Sequence, residues 1–157
     1  ERCREFSSYL KPKLRELEEL IVHIKIFVYS TANVCVLPLY LAINYAASGP
    51  VLRGSGLKYD LRKVDGYSVY PELDFDVPVG TGQMGSTGDC WDRNYVRVRE
   101  CDESLKIIDQ CLDQLMGEHK RDRDFDPRKY VPKKIRPKAQ DLYVRAENPK
   151  GGHHRLA

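Results

Sequence analysis

Residues 48–63 read SGPVLRGSGLKYDLRK and residues 88–93 read GDCWDR. The first stretch packs three glycines, a proline and five charged residues, Arg53 to Lys63, around a few apolar side chains. Glycine admits backbone conformations that other residues avoid. A buried charge needs a partner. Together these features describe a buried, charged turn in which Arg53, Asp60 and Arg62 pair with one another or with a neighbour. Gly54 and Gly56 would supply the backbone freedom. A solvated, glycine-rich connector is the alternative. In the second stretch, Asp89 is placed to cap a helix start, and Asp92 follows three residues later at its positive end. Asp89 and Asp92 could also hold a proton or a metal, but capping and ion pairing with Arg93 or Arg97 is the simpler reading.

Two amphipathic helices flank this region. Phe6, Leu10, Leu14, Leu17, Ile21 and Ile24 recur at steps of three and four, with Arg15, Glu16, Glu18 and Glu19 outside the stripe. Pro12 either kinks this helix or marks its first turn. A second helix is predicted from about Asp89 to Met116, with Trp91, Tyr95, Val98, Cys101, Leu105, Ile108, Leu112 and Leu115 on one face. Its length is roughly 40 Å at about 1.5 Å per residue. In this reading Ile108 lies in the seam, Glu103 lies off it, and Gly117 stops the helix. Short strands are candidates at 68–70, 75–79 and 142–146, and residues 126–137 read as a proline-held loop.

Ile26 to Leu52 carries no charge. A membrane span needs about 20 predominantly apolar residues, and Ser30, Thr31, Asn33, Pro38, Asn44 and Gly49 interrupt this run. The expected pattern is a short buried strand from Thr31 to Leu37, then a helix opened by Pro38 and running to about Ala47.

Composition narrows the function classes. The 157 residues carry a net charge of +3, with 41% hydrophobic and 31% charged residues, as expected of one globular domain. Residues 117–157 hold 12 Lys/Arg against 6 Asp/Glu, and residues 1–116 hold 14 against 17. The basic end is interleaved with Asp122, Asp124 and Asp126 and lacks base-stacking aromatics. That argues against nucleic acid as a partner and for a solvated or partner-facing segment. Five cysteines without a CxxC spacing argue against a disulfide framework or a four-cysteine metal site and predict reduced, mostly buried thiols. His23, His119, His153 and His154 form no ligand set. Gly80-Thr-Gly82-Gln-Met-Gly85 matches the dinucleotide pattern GxGxxG, but Pro78 interrupts the preceding strand and no βαβ unit surrounds it. It reads as a loop.

Four blocks taken in order, SGPVLRGSGLKYDLRK (48–63), YSVYPELDFDVPVG (67–80), GDCWDRNYVRV (88–98) and SLKIIDQCL (104–112), resemble the D-type catalytic subunit of respiratory complex I. That family is related to the large subunit of nickel–iron hydrogenases, and the likeness runs from about residue 1 to residue 150. It implies a mainly α fold with minor β, part of a helical-bundle subunit of the hydrogenase large-subunit type. It further implies a subunit of a proton-translocating NADH–quinone oxidoreductase that encloses the quinone headgroup together with a small iron–sulfur subunit. NADH is oxidised elsewhere in such complexes, and the terminal [4Fe-4S] cluster belongs to the small subunit, so this chain is expected to bind no cofactor itself. The implied place is the peripheral arm, on the cytoplasmic side of the inner (cell) membrane, without a transmembrane helix.

Family members are more than twice this length, and their quinone-site histidine hairpin and tyrosine lie upstream of these residues. No headgroup-site residue is therefore carried over. Arg53, Gly54, Gly56, Asp60, Arg62, Asp89, Asp92 and Arg93 are expected to be scaffold for that site. The family tends to place glycine where Cys35 stands, an acidic residue where Tyr40 stands, and Glu-Leu-Gly after the glycine at 151. The chain thus reads as an internal fragment, inactive alone, with an aberrant, unstructured tail at 151–157. A hydrogenase-like large subunit of a membrane-bound redox complex and a non-catalytic interaction module using the basic end are the alternatives.

Overall fold

The computed structural model describes residues 2–117, 141 and 143–156. The predicted loop at 126–137 lies outside them. Helix α1 (Arg2–Leu17) runs into a π-helical turn (Glu18–Val22) and is followed by the short helices α2 (Lys25–Thr31), α3 (Leu39–Asn44), α4 (Gly49–Gly54) and α5 (Leu61–Val64). A 3₁₀ turn (Tyr70–Glu72), the long helix α6 (Cys90–Met116) and a hairpin of β1 (Tyr143–Asn148) and β2 (Gly151–Leu156) complete the order. The expected mainly α architecture with minor β is what the chain adopts.

Helices α1 and α6 pack antiparallel. Arg4 pairs with Asp113, Lys11 with Asp109 at 2.7 Å, and the Ser7 hydroxyl donates to Asp109 at 2.9 Å. At the other end the Trp91 indole N–H donates to the Val22 carbonyl at 3.0 Å, and its ring stacks on Tyr95. The buried stripe of α1 and the π turn is Ser7, Leu14 and Val22, whereas Phe6, Leu17, Ile21 and Ile24 are exposed. The expected face is thus corrected at both ends. Ser7 takes a seam position because Asp109 offers it an acceptor, and the wider π turn moves the seam from Ile21 to Val22. Pro12 sits inside α1.

The seam of α6 also differs from the apolar stripe. Trp91, Asp92, Val96, Glu103 and Leu105 are buried, with Ile107 and Cys111 packed on the neighbouring cluster of Leu73, Phe75 and Val77. Ile108 is exposed and Glu103 is buried, the reverse of the expectation. Cys3, Cys35 and Cys101 are exposed and Cys90 and Cys111 half-buried, so the thiols are free but not mostly buried.

The strand expected at Thr31–Leu37 is absent. Thr31 ends α2, and positive φ angles at Asn33 (59°) and Cys35 (49°) break any extension. Two hydrogen bonds still hold this stretch to the start of α6, Leu37 N–H to the Gly88 carbonyl and Cys90 N–H to the Val34 carbonyl. The helix opened by Pro38 forms, but it ends at Asn44 rather than at about Ala47, and Ala46 turns to a positive φ of 52°. Residues 75–79 form no ladder either, although Phe75 and Val77 alternate inward, and the stretch expected as strand 68–70 runs into the 3₁₀ turn.

The hairpin brings one further correction. Residues 151–156, expected as part of an unstructured tail, are β2, paired antiparallel with β1 from Asn148↔Gly151 to Tyr143↔Leu156. The hairpin docks on the helical body through Gly152 N–H to Ser48 Oγ (2.9 Å), Glu147 N–H to the Tyr67 hydroxyl (3.1 Å) and an Arg145–Asp65 ion pair. The two backbones nearly touch. A Cβ on Gly49, which has φ +62°, would lie 2.3 Å from Gly151 Cα, so this contact is open only to glycine.

Candidate functional site

The two diagnostic sequence blocks converge on the junction of α4, α5 and the start of α6. Helix α4 opens with Pro50 in its first turn. It approaches α6 so closely that a Cβ on Gly54 would meet Arg93 Cγ at 2.7 Å. This approach directs Arg53, only 1% exposed, into the protein. Its Nε donates to Glu100 Oε1 at 2.5 Å, and its Nη1 donates to the Tyr59 carbonyl and to Glu147 Oε1, both at 3.0 Å. Asp60 lies 3.7 Å from Nη1. One guanidinium thus gathers a carboxylate from the N-cap of α5, one from α6 and one from β1. Gly56 closes the α4 turn, donating its N–H to the Arg53 carbonyl.

Asp60 does two jobs. It caps α5 by accepting the Arg62 N–H at 2.9 Å, and it takes the Arg62 guanidinium through Nε at 2.9 Å and Nη2 at 2.6 Å. The Arg62 guanidinium also lies over the Phe75 ring, 4.9 Å from its centre. Burial pushes the Asp60 carboxyl up, but the hydrogen bonds and charge of Arg62, and then Arg53, outweigh it and hold it below the ordinary carboxylate value. Glu100 goes the other way, raised because burial outweighs its bond to Arg53. Burial lowers the Arg62 guanidinium, but its bond to Asp60 outweighs this and the net shift is upward. The buried-turn reading of Arg53, Asp60 and Arg62 is therefore correct and the solvated connector is not.

The second block forms an anion nest for a carboxylate of the chain itself. Asp89 Oδ1 caps α6 by accepting Asp92 N–H at 2.8 Å, and Oδ2 accepts Asn33 N–H at 2.8 Å. Asp92 Oδ2 accepts the N–H groups of Gly82 at 2.9 Å and Gly88 at 3.3 Å. The glycine loop at 80–85 thus presents a backbone N–H to Asp92, and no βαβ unit occurs among the described residues. The capping expectation holds, but the ion pairing does not. Arg93 donates to the Gly88 carbonyl and to Cys90 Sγ, and Arg97 donates to the Arg93 carbonyl. Gly80 joins the two halves, its N–H donating to the Arg53 carbonyl at 2.9 Å.

Arg53, Arg62, Tyr70, Arg97, Glu100 and Glu147 line a cleft of about 420 Å³. Among the described residues, no buried side-chain nitrogen or oxygen lacks a hydrogen-bond partner. No three His, Cys, Asp or Glu side chains there are placed to share a metal ion. The chemistry of this arrangement is positional: paired charges fix the relative placement of α4, α5, α6 and the hairpin.

A family model described as the respiratory-chain NADH dehydrogenase 49 kDa subunit matches residues 1–155. The chain belongs to that family. Among its 49 kDa-family relatives, the D-type subunit 1 of the NADH-quinone oxidoreductase of Cytophaga hutchinsonii is 70% identical over 151 residues, 96% of this chain and 38% of the relative. The D-type subunit of Amoebophilus asiaticus is 60% identical over 151 residues, again 96% of this chain and 38% of the relative. That of Chlorobaculum parvum is 54% identical over 150 residues, 96% of this chain and 36% of the relative. The chain therefore spans a little over a third of the length of the curated relatives it matches.

Sequence reasoning missed Glu100, Glu103 and Glu147. Asp92, Val96 and Glu100 are spaced by four along α6, and Glu103 follows three residues later. That periodicity was available in the sequence. It reads as a solvated face until Arg53 and the Asp76 N–H are known to meet it.

Proposed function

We propose that this chain is part of the D-type subunit of an NADH–quinone oxidoreductase, and that its Arg53-centred cluster and the capped start of α6 are scaffold for a wall of the quinone headgroup site. The family match across residues 1–155 carries this reading. Its proposed partners are the other subunits of the peripheral arm, above all the small iron–sulfur subunit whose [4Fe-4S] cluster would deliver electrons to quinone. NADH oxidation is assigned to another subunit, and the isolated chain is assigned no turnover. No helix among the described residues is long and apolar enough to cross a membrane, which suits a peripheral position; the cytoplasmic side of the membrane is part of the proposal.

The test uses the assembled enzyme with Asp92→Asn or Arg53→Lys in its D-type subunit. Quinone reduction is expected to fall at least tenfold, while NADH oxidation by a soluble artificial acceptor stays within twofold of the parent. Equal loss of both activities would place the defect in assembly, and loss of neither would sink the scaffold reading.

A further inference from the structure

We propose that Glu100 is a proton-binding residue whose protonation tightens the docking of the β1–β2 hairpin, acting through the shared guanidinium of Arg53. The arrangement of charges makes the case. Asp60, Glu100 and Glu147 are three carboxylates gathered around two guanidiniums, that of Arg53, which is buried, and that of Arg62, which is half-buried. Asp60 is held twice by Arg62 and once by a backbone N–H. Glu100 and Glu147 share Arg53 as their hydrogen-bond donor, one through Nε and the other through Nη1, and the charge of Arg62 also acts on Glu100. Of the three, Glu100 is the most open to water, with its side chain 15% exposed against 1% for Asp60 and 5% for Glu147. It stands in the wall of the 420 Å³ cleft, where a proton can reach it.

The other ionisable groups facing Glu100 are Arg53 from α4, Asp60 and Arg62 from α5, Tyr70 from the 3₁₀ turn, Arg97 and Cys101 from α6, and Glu147 from β1. Only Glu147 rides on the hairpin. When the hairpin lifts, Glu100 loses a neighbouring negative charge and no longer shares Arg53 with Glu147, although Asp60 and the Tyr59 carbonyl remain on it, so its carboxylate form becomes easier to hold. When the hairpin docks, the crowding of negative charge favours the protonated form. By linkage, protonating Glu100 must favour the docked hairpin by the same factor. Glu147 then shares the guanidinium of Arg53 with Asp60 and the Tyr59 carbonyl but no longer with a second charged glutamate.

Two amides report docking rather than the hairpin's own ladder: Glu147 N–H, bound to the Tyr67 hydroxyl, and Gly152 N–H, bound to Ser48 Oγ. The experiment compares hydrogen-exchange protection factors at these amides in the 157-residue chain between pH 8 and pH 5. The parent is set beside Glu100→Gln and Glu147→Gln. All three carry His153→Gln and His154→Gln, which removes the hairpin imidazoles. The Glu100 carboxyl is followed by carbon NMR. Protection in the parent is expected to rise on acidification, by about tenfold for each pH unit separating the Glu100 midpoints of the docked and lifted hairpin. Glu100→Gln, which mimics the protonated form, is expected to hold the high value at every pH. Glu147→Gln is expected to lower the Glu100 midpoint. Unchanged pH dependence in Glu100→Gln, protection in the parent that is flat with pH, or a Glu100 midpoint unmoved by Glu147→Gln would each overturn the proposal.

Discussion

The Glu103 carboxylate accepts the backbone N–H of Asp76 at 2.9 Å and ties the extended segment 73–77 to the middle of α6. Lys106 holds its other oxygen at 2.6 Å. Removing the carboxylate strands a backbone donor. Glu103→Ala should cost about 1.5–3 kcal/mol, whereas Ile108→Ser, on the exposed face, should cost about 1 kcal/mol or less. Denaturant melts of the two variants check the order; a larger loss from Ile108→Ser would put the seam elsewhere.

The acid limb of stability should carry the same signature. Burial raises Asp60 and Glu103, but Arg62 and Lys106 with the Asp76 N–H outweigh it, so both lie below their ordinary values of 3.8 and 4.5. Between the folded and unfolded values the unfolded chain binds more protons, so this stability is complete above about pH 4.5 and is lost as pH falls through the folded values. Glu100, raised by burial, has the opposite sign: its contribution is full below its unfolded value and is lost as pH rises through the folded one. Melts from pH 3 to 7 should show a shallower acid limb in Glu103→Gln than in the parent. Parallel limbs would show that Glu103 contributes nothing to the slope.

Arg53 is expected to be the least replaceable side chain of the cluster. Arg53→Met leaves Glu100 and Glu147 buried without their donor, and breaking a buried pair typically costs about 3–5 kcal/mol. Limited proteolysis should then cut the hairpin at 143–156 well before α6. Simultaneous cutting of both would mean that the cluster does not hold the hairpin specifically.

Gly80 tolerates no side chain. A Cβ there would lie 2.1 Å from the Gly54 carbonyl oxygen and 2.7 Å from Asp92 Oδ2. Gly80→Ala must push α4 away from α6, at a cost on the order of 3 kcal/mol. Thr81→Ala, at an exposed neighbour, should change stability by less than about 0.5 kcal/mol. Thermal melts separate the two, and equal effects would contradict the close approach.

Cys35 adopts a left-handed backbone with φ 49°. That conformation costs an ordinary residue about 1–2 kcal/mol, and glycine's extra backbone entropy gives back about 0.5–1 kcal/mol. Cys35→Gly should therefore stabilise the chain by about 0.5–1 kcal/mol. A loss of stability in the same melts would mean that the Cys35 side chain contributes more than its backbone strain costs.

Several features were legible in the residues alone because their causes are local. Asp89 before an amphipathic run makes a capped helix, and Pro38 opens another in whatever surroundings it meets. The glycines and mixed charges of 53–63 offered a buried ionic turn as one of two readings, and the four ordered blocks announced the family. The tertiary structure decided what depends on partners distant in sequence. Which face of α6 is buried follows from Arg53, 47 residues before Glu100, and from Asp76, 27 residues before Glu103. The seam of α1 follows from Asp109 meeting Ser7, and the hairpin is placed by Tyr67 and Arg53 holding Glu147 of β1 and by Ser48 holding Gly152 of β2 rather than by its own composition. A carboxylate is read as solvated until the structure supplies its donor, because the free energy of burying a charge is set by its partner and not by the residue itself.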